Sequence, residues 1–310
     1  MIRRIACLLL AVQLLCATFF SWFIYTHLLP GHGVASLALG VLVVMLVRIA
    51  ITANSFVLSR RHRSPTPTHA QIGLLSAARL FLIEFLSSMY SSSWAMAFCV
   101  VEKRNVPNPL SLPVLLVHGY GCNSGYWHTM SKALSAAQIS HHAVTLEPVL
   151  APIEQYLPTL QQAVSELVAD SKSSRIILVG HSMGGLICRA YLREYGVATI
   201  AKVITIGTPH HGTTLANRGV GDNVRQMTMD CRGTEFTSSQ WLQQLEKSET
   251  ASTRALITSI YSHHDNIISP QSSAFLDGAT HIAIGGIGHV TLALHKRVQQ
   301  TLIQILLTTV

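Results

Sequence analysis

Gly180-His181-Ser182-Met183-Gly184 is a Gly-x-Ser-x-Gly pattern, and its flanks give it chemical meaning. A β-branched run, Ile176 to Val179, leads straight into it, and a helix-compatible stretch follows at once. A serine held in a sharp turn between strand and helix exposes its hydroxyl, and a base beside it makes it a nucleophile. Glycines flanking such a turn let backbone and neighbouring elements approach where a Cβ would not fit. The helix that starts there aims free N–H groups and the positive end of its dipole at the reacting centre. The chemistry expected of Ser182 is acyl transfer.

Acyl transfer also needs a base, a carboxylate to orient it, and donors for the oxyanion. After such an elbow the acid and then the base follow in chain order, in loops at the carboxyl ends of late strands. The expected base is His289, in Gly285-Gly286-Ile287-Gly288-His289-Val290, between the last strand candidate and the last helix. His281, at a strand start, and His295, within the helix, are its local rivals among 16 histidines. The expected acid is Asp265, in a loop that follows a strand ending at Tyr261 and closes on Pro270. An Asx-turn is the competing role for an aspartate there. Asp277 is the alternative acid, although Asp277-Gly278 reads as a turn; Asp222 and Asp230 come too early in the chain. The oxyanion donors are expected to be two backbone N–H groups, of Met183 just after the nucleophile and of Tyr120 in the loop His118-Gly119-Tyr120-Gly121-Cys122.

These loops need a frame. From Pro113 onward strands and helices alternate. Strand candidates are Val114–Val117, Ile176–Val179, Val203–Ile206, Leu256–Tyr261 and His281–Ile284; helix candidates are Ser124–Ala137, Ile153–Ser171, Gly184–Tyr195 and Thr291–Leu307. Such alternation predicts an α/β fold, a mostly parallel sheet with helices on both faces. Thr213 to Glu249 is expected to form a cap over the site, with apolar character from Val220, Val224, Met227, Met229, Phe236, Trp241, Leu242 and Leu245. A lipid-facing lid and an ordinary packed cap both need such residues.

From about Pro113 to Gln299 the chain resembles the α/β-hydrolase superfamily, and more narrowly the bacterial triacylglycerol lipases. The matching pieces are Val114-Leu115-Leu116-Val117-His118-Gly119-Tyr120-Gly121, Gly180-His181-Ser182-Met183-Gly184-Gly185, Ile206-Gly207-Thr208-Pro209-His210-His211-Gly212-Thr213, Asp265-Asn266-Ile267-Ile268 and Gly288-His289. The resemblance implies the α/β-hydrolase fold, Ser182 as nucleophile, Asp265 as acid, His289 as base, and oxyanion donors at Tyr120 and Met183. It implies that His210 and His211 shape the site without acting as base. Some relatives hold a structural calcium through an aspartate shortly after the catalytic histidine. Val290-Thr291-Leu292 stands there in this sequence, so calcium is not implied.

The N-terminal hundred residues lie outside that resemblance. Hydrophobic residues make up 49% of the chain, too many for an ordinary soluble domain, so part of it is expected in lipid. Ile5 to Leu29 is apolar, without Asp, Glu, Lys or Arg, and long enough to cross a bilayer; Val34 to Leu58, interrupted by Arg48, reads as a second span after the turn Pro30-Gly31-His32-Gly33. The first run is longer than a signal-peptide core and has no clear cleavage site, which favours a retained anchor. Arg3 and Arg4 before the hairpin, and Arg60, Arg61 and Arg63 after it, put both ends on the cytoplasmic side by the positive-inside rule. A single span would instead place the catalytic domain outside. Residues 1–63 are thus expected to be a membrane anchor, in a bacterial inner membrane, and 64–110 a linker with an amphipathic helix. Residues 111–310 are expected to be the catalytic domain, with its cap around 213–250.

The formal net charge is +8, yet the basic residues near the start flank apolar runs and form no nucleic-acid patch. No CxxC pair or zinc spacing exists among the six cysteines, so no metal is expected, and no cofactor; nothing in the spacing argues for a Cys122–Cys231 disulfide. The expected function is a membrane-anchored serine carboxylester hydrolase acting on lipid or other acyl esters. The alternatives are an acyltransferase or thioesterase with the same triad, or a non-catalytic membrane scaffold of the same fold. Protein partners are not legible.

Overall fold

The computed structural model describes residues 1–309. Two long helices, α1 (Ile2–His27) and α2 (Gly33–Arg61), form an antiparallel hairpin. They pack closely at Gly40, where an added Cβ would lie 2.7 Å from the Ala17 carbonyl oxygen. Small residues at such a crossing let two apolar helices approach through backbone contact. Each of these helices is long and apolar enough to cross a membrane, and so is the stretch Leu74–Phe98. Arg48, the charge that interrupts the second apolar run, is bonded inside the bundle: its guanidinium donates to Gln13 Oε1 (3.3 Å) and to Ser92 Oγ (2.6 Å).

A linker with one 3₁₀ turn, Thr68–Ala70, leads to α3 (Leu74–Tyr90), which continues through a π-helical turn, Ser91–Ala95, into the short α4 (Met96–Phe98). Helix α3 is two-sided. Leu80, Glu84 and Phe85 are buried, whereas Leu74, Leu75, Leu82 and Leu86 are exposed. The amphipathic helix expected within residues 64–110 starts at Leu74, after Gly73.

The remainder is the sheet and its helices: β1 (Val114–Val117), α5 (His128–Ala136), β2 (His141–Ala143), α6 (Leu157–Ser171), β3 (Ile176–His181), α7 (Met183–Tyr195) and β4 (Ile200–Ile206). There follow α8 (Asp222–Gln226), the hairpin β5 (Met229–Arg232) and β6 (Glu235–Ser238), α9 (Gln240–Ser248), α10 (Ala251–Ala255), β7 (Ile257–Ser262), β8 (Thr280–Ile284) and α11 (Lys296–Thr308). The sheet order is β2-β1-β3-β4-β7-β8, with every neighbouring pair parallel. Strands β1 and β3 are buried along their whole length, as strands covered on both faces must be. One core lies on the α6–α7 side (Leu115, Leu178, Leu186, Val203) and the other on the α5–α11 side (Leu116, Val179, Ile204, Leu302).

All five expected strands form. The edge strand β2 was not foreseen, because His141-His142-Ala143 lacks the β-branched run that marks the others. Helix α11 begins at Lys296, later than expected; Thr291 to Leu294 makes turns and leads into a cap at His295, whose side chain accepts from Arg297 N. The N-terminal helices α2 and α3 dock at the carboxyl ends of the strands, where sheets of this kind hold their sites. Helix α2 meets the loop after β7 through Ser59, whose hydroxyl donates to Asp265 O at 3.1 Å, and α3 meets the loop after β8 through Glu84.

Candidate active site

Ser182 stands between β3 and α7 at φ +55°, ψ −126°, one of three non-glycine residues with positive φ among the described residues. A β-carbon is unfavourable there, and such strain persists only where the surroundings fix it. Here Ser182 N donates to Ile206 O (2.9 Å) and Ser182 O accepts from Thr208 Oγ1 (2.9 Å). Gly184 is required by the same turn, since an added Cβ would sit 2.2 Å from the Val117 carbonyl oxygen. The loop after β1 approaches from one side: a Cβ on Gly119 would come within 2.9 Å of Ser182 Cβ. Met183 is buried and Tyr120 is 38% exposed, its hydroxyl donating to Val220 O (2.8 Å).

His289 and Asp265 are brought together. His289 Nδ1 lies 2.8 Å from Asp265 Oδ2, and both side chains are buried. The other carboxylate oxygen, Oδ1, accepts from Ile267 N and Ile268 N, each at 2.8 Å. The Asx-turn and the role beside the histidine, alternatives in the sequence, therefore coexist in one side chain. Burial lowers the His289 pKa, but the charge and hydrogen bond of Asp265, with a contribution from Glu84, outweigh it and leave the pKa above its ordinary 6.5. His289 lies next to the elbow: its ring centroid is 4.8 Å from that of His181, and its carbonyl lies 3.1 Å from His181 Nε2. Gly207, at the end of β4, lies against the pair; a Cβ there would stand 3.4 Å from His289 Nδ1. Among the described residues, Ser182 Oγ makes no hydrogen bond.

The rivals are engaged elsewhere. His281 stacks on Phe275 (3.8 Å) and accepts from Leu276 N, and His295 caps α11. Asp277 lies in the turn before β8, and its carbonyl accepts from Arg254 Nη1. His210 is buried beside Thr205 and Arg189, and burial with the Arg189 charge keeps it well below its ordinary pKa. In the loop after β1, burial pushes the His118 pKa down to about 4. Its Nε2 accepts from Leu146 N, so it acts as a neutral brace. Burial raises the Cys122 thiol pKa to about 12, and Cys122 and Cys231 are both free. Among the described residues, no three His, Cys, Asp or Glu side chains cluster to hold a metal ion.

Sequence reasoning missed the residues that hold the base loop. Glu84 of α3, 1% exposed, accepts from Val290 N (2.9 Å), Thr291 N (3.0 Å) and Thr291 Oγ1 (2.7 Å). Asn266 Oδ1 accepts from His289 N (2.9 Å), while its amide donates to Ser55 Oγ of α2 (2.7 Å). Tyr126 OH donates to Val290 O (2.9 Å). The signal that could have found Glu84 is its place as the one acid in the stretch Gln71–Val101.

Six parallel strands, a strained serine between strand and helix, and a buried Asp–His pair from the last two sheet loops define the architecture. The chain has the α/β-hydrolase fold. Residues 113–253 match the palmitoyl protein thioesterase family. A triacylglycerol lipase from Pseudarthrobacter phenanthrenivorans is 29% identical over 117 residues, covering 34% of this chain and 35% of that protein. One from Burkholderia plantarii is also 29% identical over 117 residues, covering 34% of this chain and 31% of that protein. The chain thus spans about a third of the length of these curated relatives. In fold it is similar to the mature lipase BlEst2 of Bacillus licheniformis, with a TM-score of 0.57, 18% identity, and coverage of 66% of this chain and 96% of that one. The N-terminal helices lie outside the family match, which begins at residue 113.

The segment expected as a cap packs largely on the domain. Val224, Met227, Met229, Leu242 and Leu245 are buried, and Trp241 is partly so, whereas Val220 and Phe236 are exposed. Its far end is tied down by an ion pair between Arg189 of α7 and Glu249, both almost fully buried.

Proposed function

We propose that this protein is a membrane-anchored serine hydrolase that cleaves acyl esters through Ser182, His289 and Asp265. The observation that supports it best is the 2.8 Å contact of His289 Nδ1 with Asp265 Oδ2, beside a serine held at positive φ. In this reading His289 Nε2 takes the Ser182 proton as Oγ attacks the acyl carbonyl, and Asp265 stabilises the imidazolium that forms. The backbone N–H groups of Met183 and Tyr120 stabilise the tetrahedral oxyanion. His289 then gives its proton to the departing alcohol, and water, activated by the same imidazole, releases the acid from Ser182. The hydrogen bond between Ser182 and His289 closes in the substrate complex, as catalytic contacts commonly do. The anchor spans the membrane with α1 and α2 and keeps the site beside insoluble acyl chains, raising their effective concentration. By the flanking arginines, the catalytic domain of residues 111–310, with its cap around 213–250, faces the cytoplasm.

The family match over residues 113–253 favours a second reading, cleavage of acyl thioesters by the same groups. One experiment tests both. Purified protein is given p-nitrophenyl esters of graded chain length, emulsified triglyceride, and an S-palmitoylated peptide, with fluorophosphonate labelling as a measure of competent serine. Labelling lost in Ser182→Ala and hydrolysis of the oxygen esters support the first reading. Hydrolysis of the peptide thioester alone supports the second. A folded protein that neither labels nor hydrolyses would sink both.

A further inference from the structure

Against the Asp265 loop lies a cavity of about 880 Å³, lined by the end of α2, the linker and the start of α3. Its size falls within the range of small-molecule sites, ~300–1,000 Å³. One part of its wall is cationic, with Arg60 and Arg63, and the other apolar, with Phe56, Val57 and Leu80. Among the described residues, neither Arg60 nor Arg63 has a carboxylate within ion-pair distance. Asp265 supplies the cavity's one carboxylate, and its oxygens are already taken by Ile267, Ile268 and His289. The cavity therefore offers uncompensated positive charge beside an apolar wall.

We propose that this cavity binds one anionic phospholipid of the surrounding membrane, with its phosphate between Arg60 and Arg63 and an acyl chain along Phe56, Val57 and Leu80. The guanidinium fork suits a phosphate, and basic residues at the end of a membrane helix lie at headgroup depth. A soluble phosphate would satisfy the arginines and leave the apolar wall uncovered. A lipid covers both, and its chain has a route out along α2 and α3, where Val57, Leu74 and Leu75 are exposed. Ser182, Met183, Tyr120 and His289 do not line the cavity. Its wall includes the loop that carries Asp265, which Ser59 and Gln271 hold by hydrogen bonds to the Asp265 carbonyl. The proposal rests on the membrane reading of α1 and α2 and is independent of the hydrolase reading.

The test uses the full chain with Ser182→Ala, so that no lipid is consumed. The protein is reconstituted in nanodiscs of equal phosphatidylglycerol and phosphatidylcholine and extracted into detergent, and retained lipid is counted by native mass spectrometry. One phosphatidylglycerol is expected to stay bound in preference to phosphatidylcholine. Arg60→Ala and Arg63→Ala, both at exposed positions, should each lower its retention about tenfold, the cost of a charge-assisted hydrogen bond. Arg61→Ala removes the same charge one residue away, outside the cavity wall, and should leave retention unchanged. Ala77→Trp fills the apolar part without altering charge and should also release the lipid. Equal loss in Arg61→Ala would reduce the effect to general surface charge and overturn the site. Equal retention of phosphatidylcholine would overturn the anionic specificity, and full retention in Ala77→Trp would place the lipid elsewhere. Fluorophosphonate labelling of the wild type, run in parallel, reports on the hydrolase reading separately.

Discussion

At the scale of single residues, the Asp265–His289 contact sets two expectations. Asp265→Asn keeps the shape of the loop but removes the charge that fixes the tautomer and stabilises the imidazolium. Turnover of a p-nitrophenyl ester should fall by about 10⁴-fold while the protein stays folded. A fall of less than tenfold would transfer the acid role to another carboxylate, and Asp277→Asn is the matched control. The second expectation concerns pH. A base acts when unprotonated, and the net effect on His289 is a raised pKa, since Asp265 and Glu84 outweigh burial. The acid limb of kcat/KM should therefore fall off above the ordinary histidine value of 6.5. A limb centred below 6.5 would contradict the assignment of His289 as the base. The roles expected of Ser182, His289 and Asp265 were legible because each sits in a short local pattern tied to a strand end. The residues that orient them were not. Asn266 was quoted as part of a motif, yet its bond to His289 N joins two loops 23 residues apart. Local sequence holds no signal for such a pairing.

At the scale of elements, α3 is the unexpected participant. Its periodicity announced an amphipathic helix, but not which face would meet the catalytic domain. Glu84 decides that, because its carboxylate satisfies the backbone N–H groups of Val290 and Thr291 immediately after His289. Those N–H groups are buried and would otherwise lack partners, an arrangement that costs more than the bond itself contributes. Glu84→Ala should therefore loosen the base loop and lower kcat by about 100-fold with little change in KM, the size of a misplacement of about 1 Å. Steady-state kinetics on a soluble ester separates the two parameters, and a pure KM effect would show that α3 serves substrate access and not the base. Ser87→Ala, which removes only the neighbouring hydroxyl contact to Thr291, should cost far less. A second element-level expectation concerns α7. Arg189 on that helix donates to both oxygens of Glu249 and to the His210 carbonyl while almost fully buried. Arg189→Ala leaves the buried Glu249 carboxylate with Arg254 alone, whose Nε lies 3.1 Å from Oε2, and should destabilise the domain by about 3 kcal/mol. Denaturation in detergent would read this as a lowered midpoint, and an unchanged midpoint would show that water replaces the guanidinium.

At the scale of the whole molecule, pH stability reports how many neutral imidazoles the fold has buried. His118, His181 and His210 sit in the loop after β1, at the end of β3 and in the loop after β4, and burial lowers the pKa of each, to about 4 for His118. Charged neighbours, His289 for His181 and Arg189 for His210, add to that shift. The unfolded chain takes up these protons near 6.5, whereas the folded chain resists them to lower pH. Their contribution to stability is therefore complete above 6.5 and is lost as pH falls, for His118 down to about 4. His289 runs the other way: its raised folded pKa adds stability below 6.5 that disappears as pH rises through the folded value. Eleven histidines whose pKa the fold lowers, against one that it raises, give a net loss toward acid. The thermal midpoint of Ser182→Ala in detergent should thus fall steadily from about pH 7 to about pH 5. Replacing His118 by glutamine removes one of these titrations, so that variant should show a shallower slope whatever its starting stability. A midpoint that stays level or rises over this range would mean that the imidazoles are already protonated in the fold, and that the end of β3 and the loop after β1 carry positive charge beside Ser182.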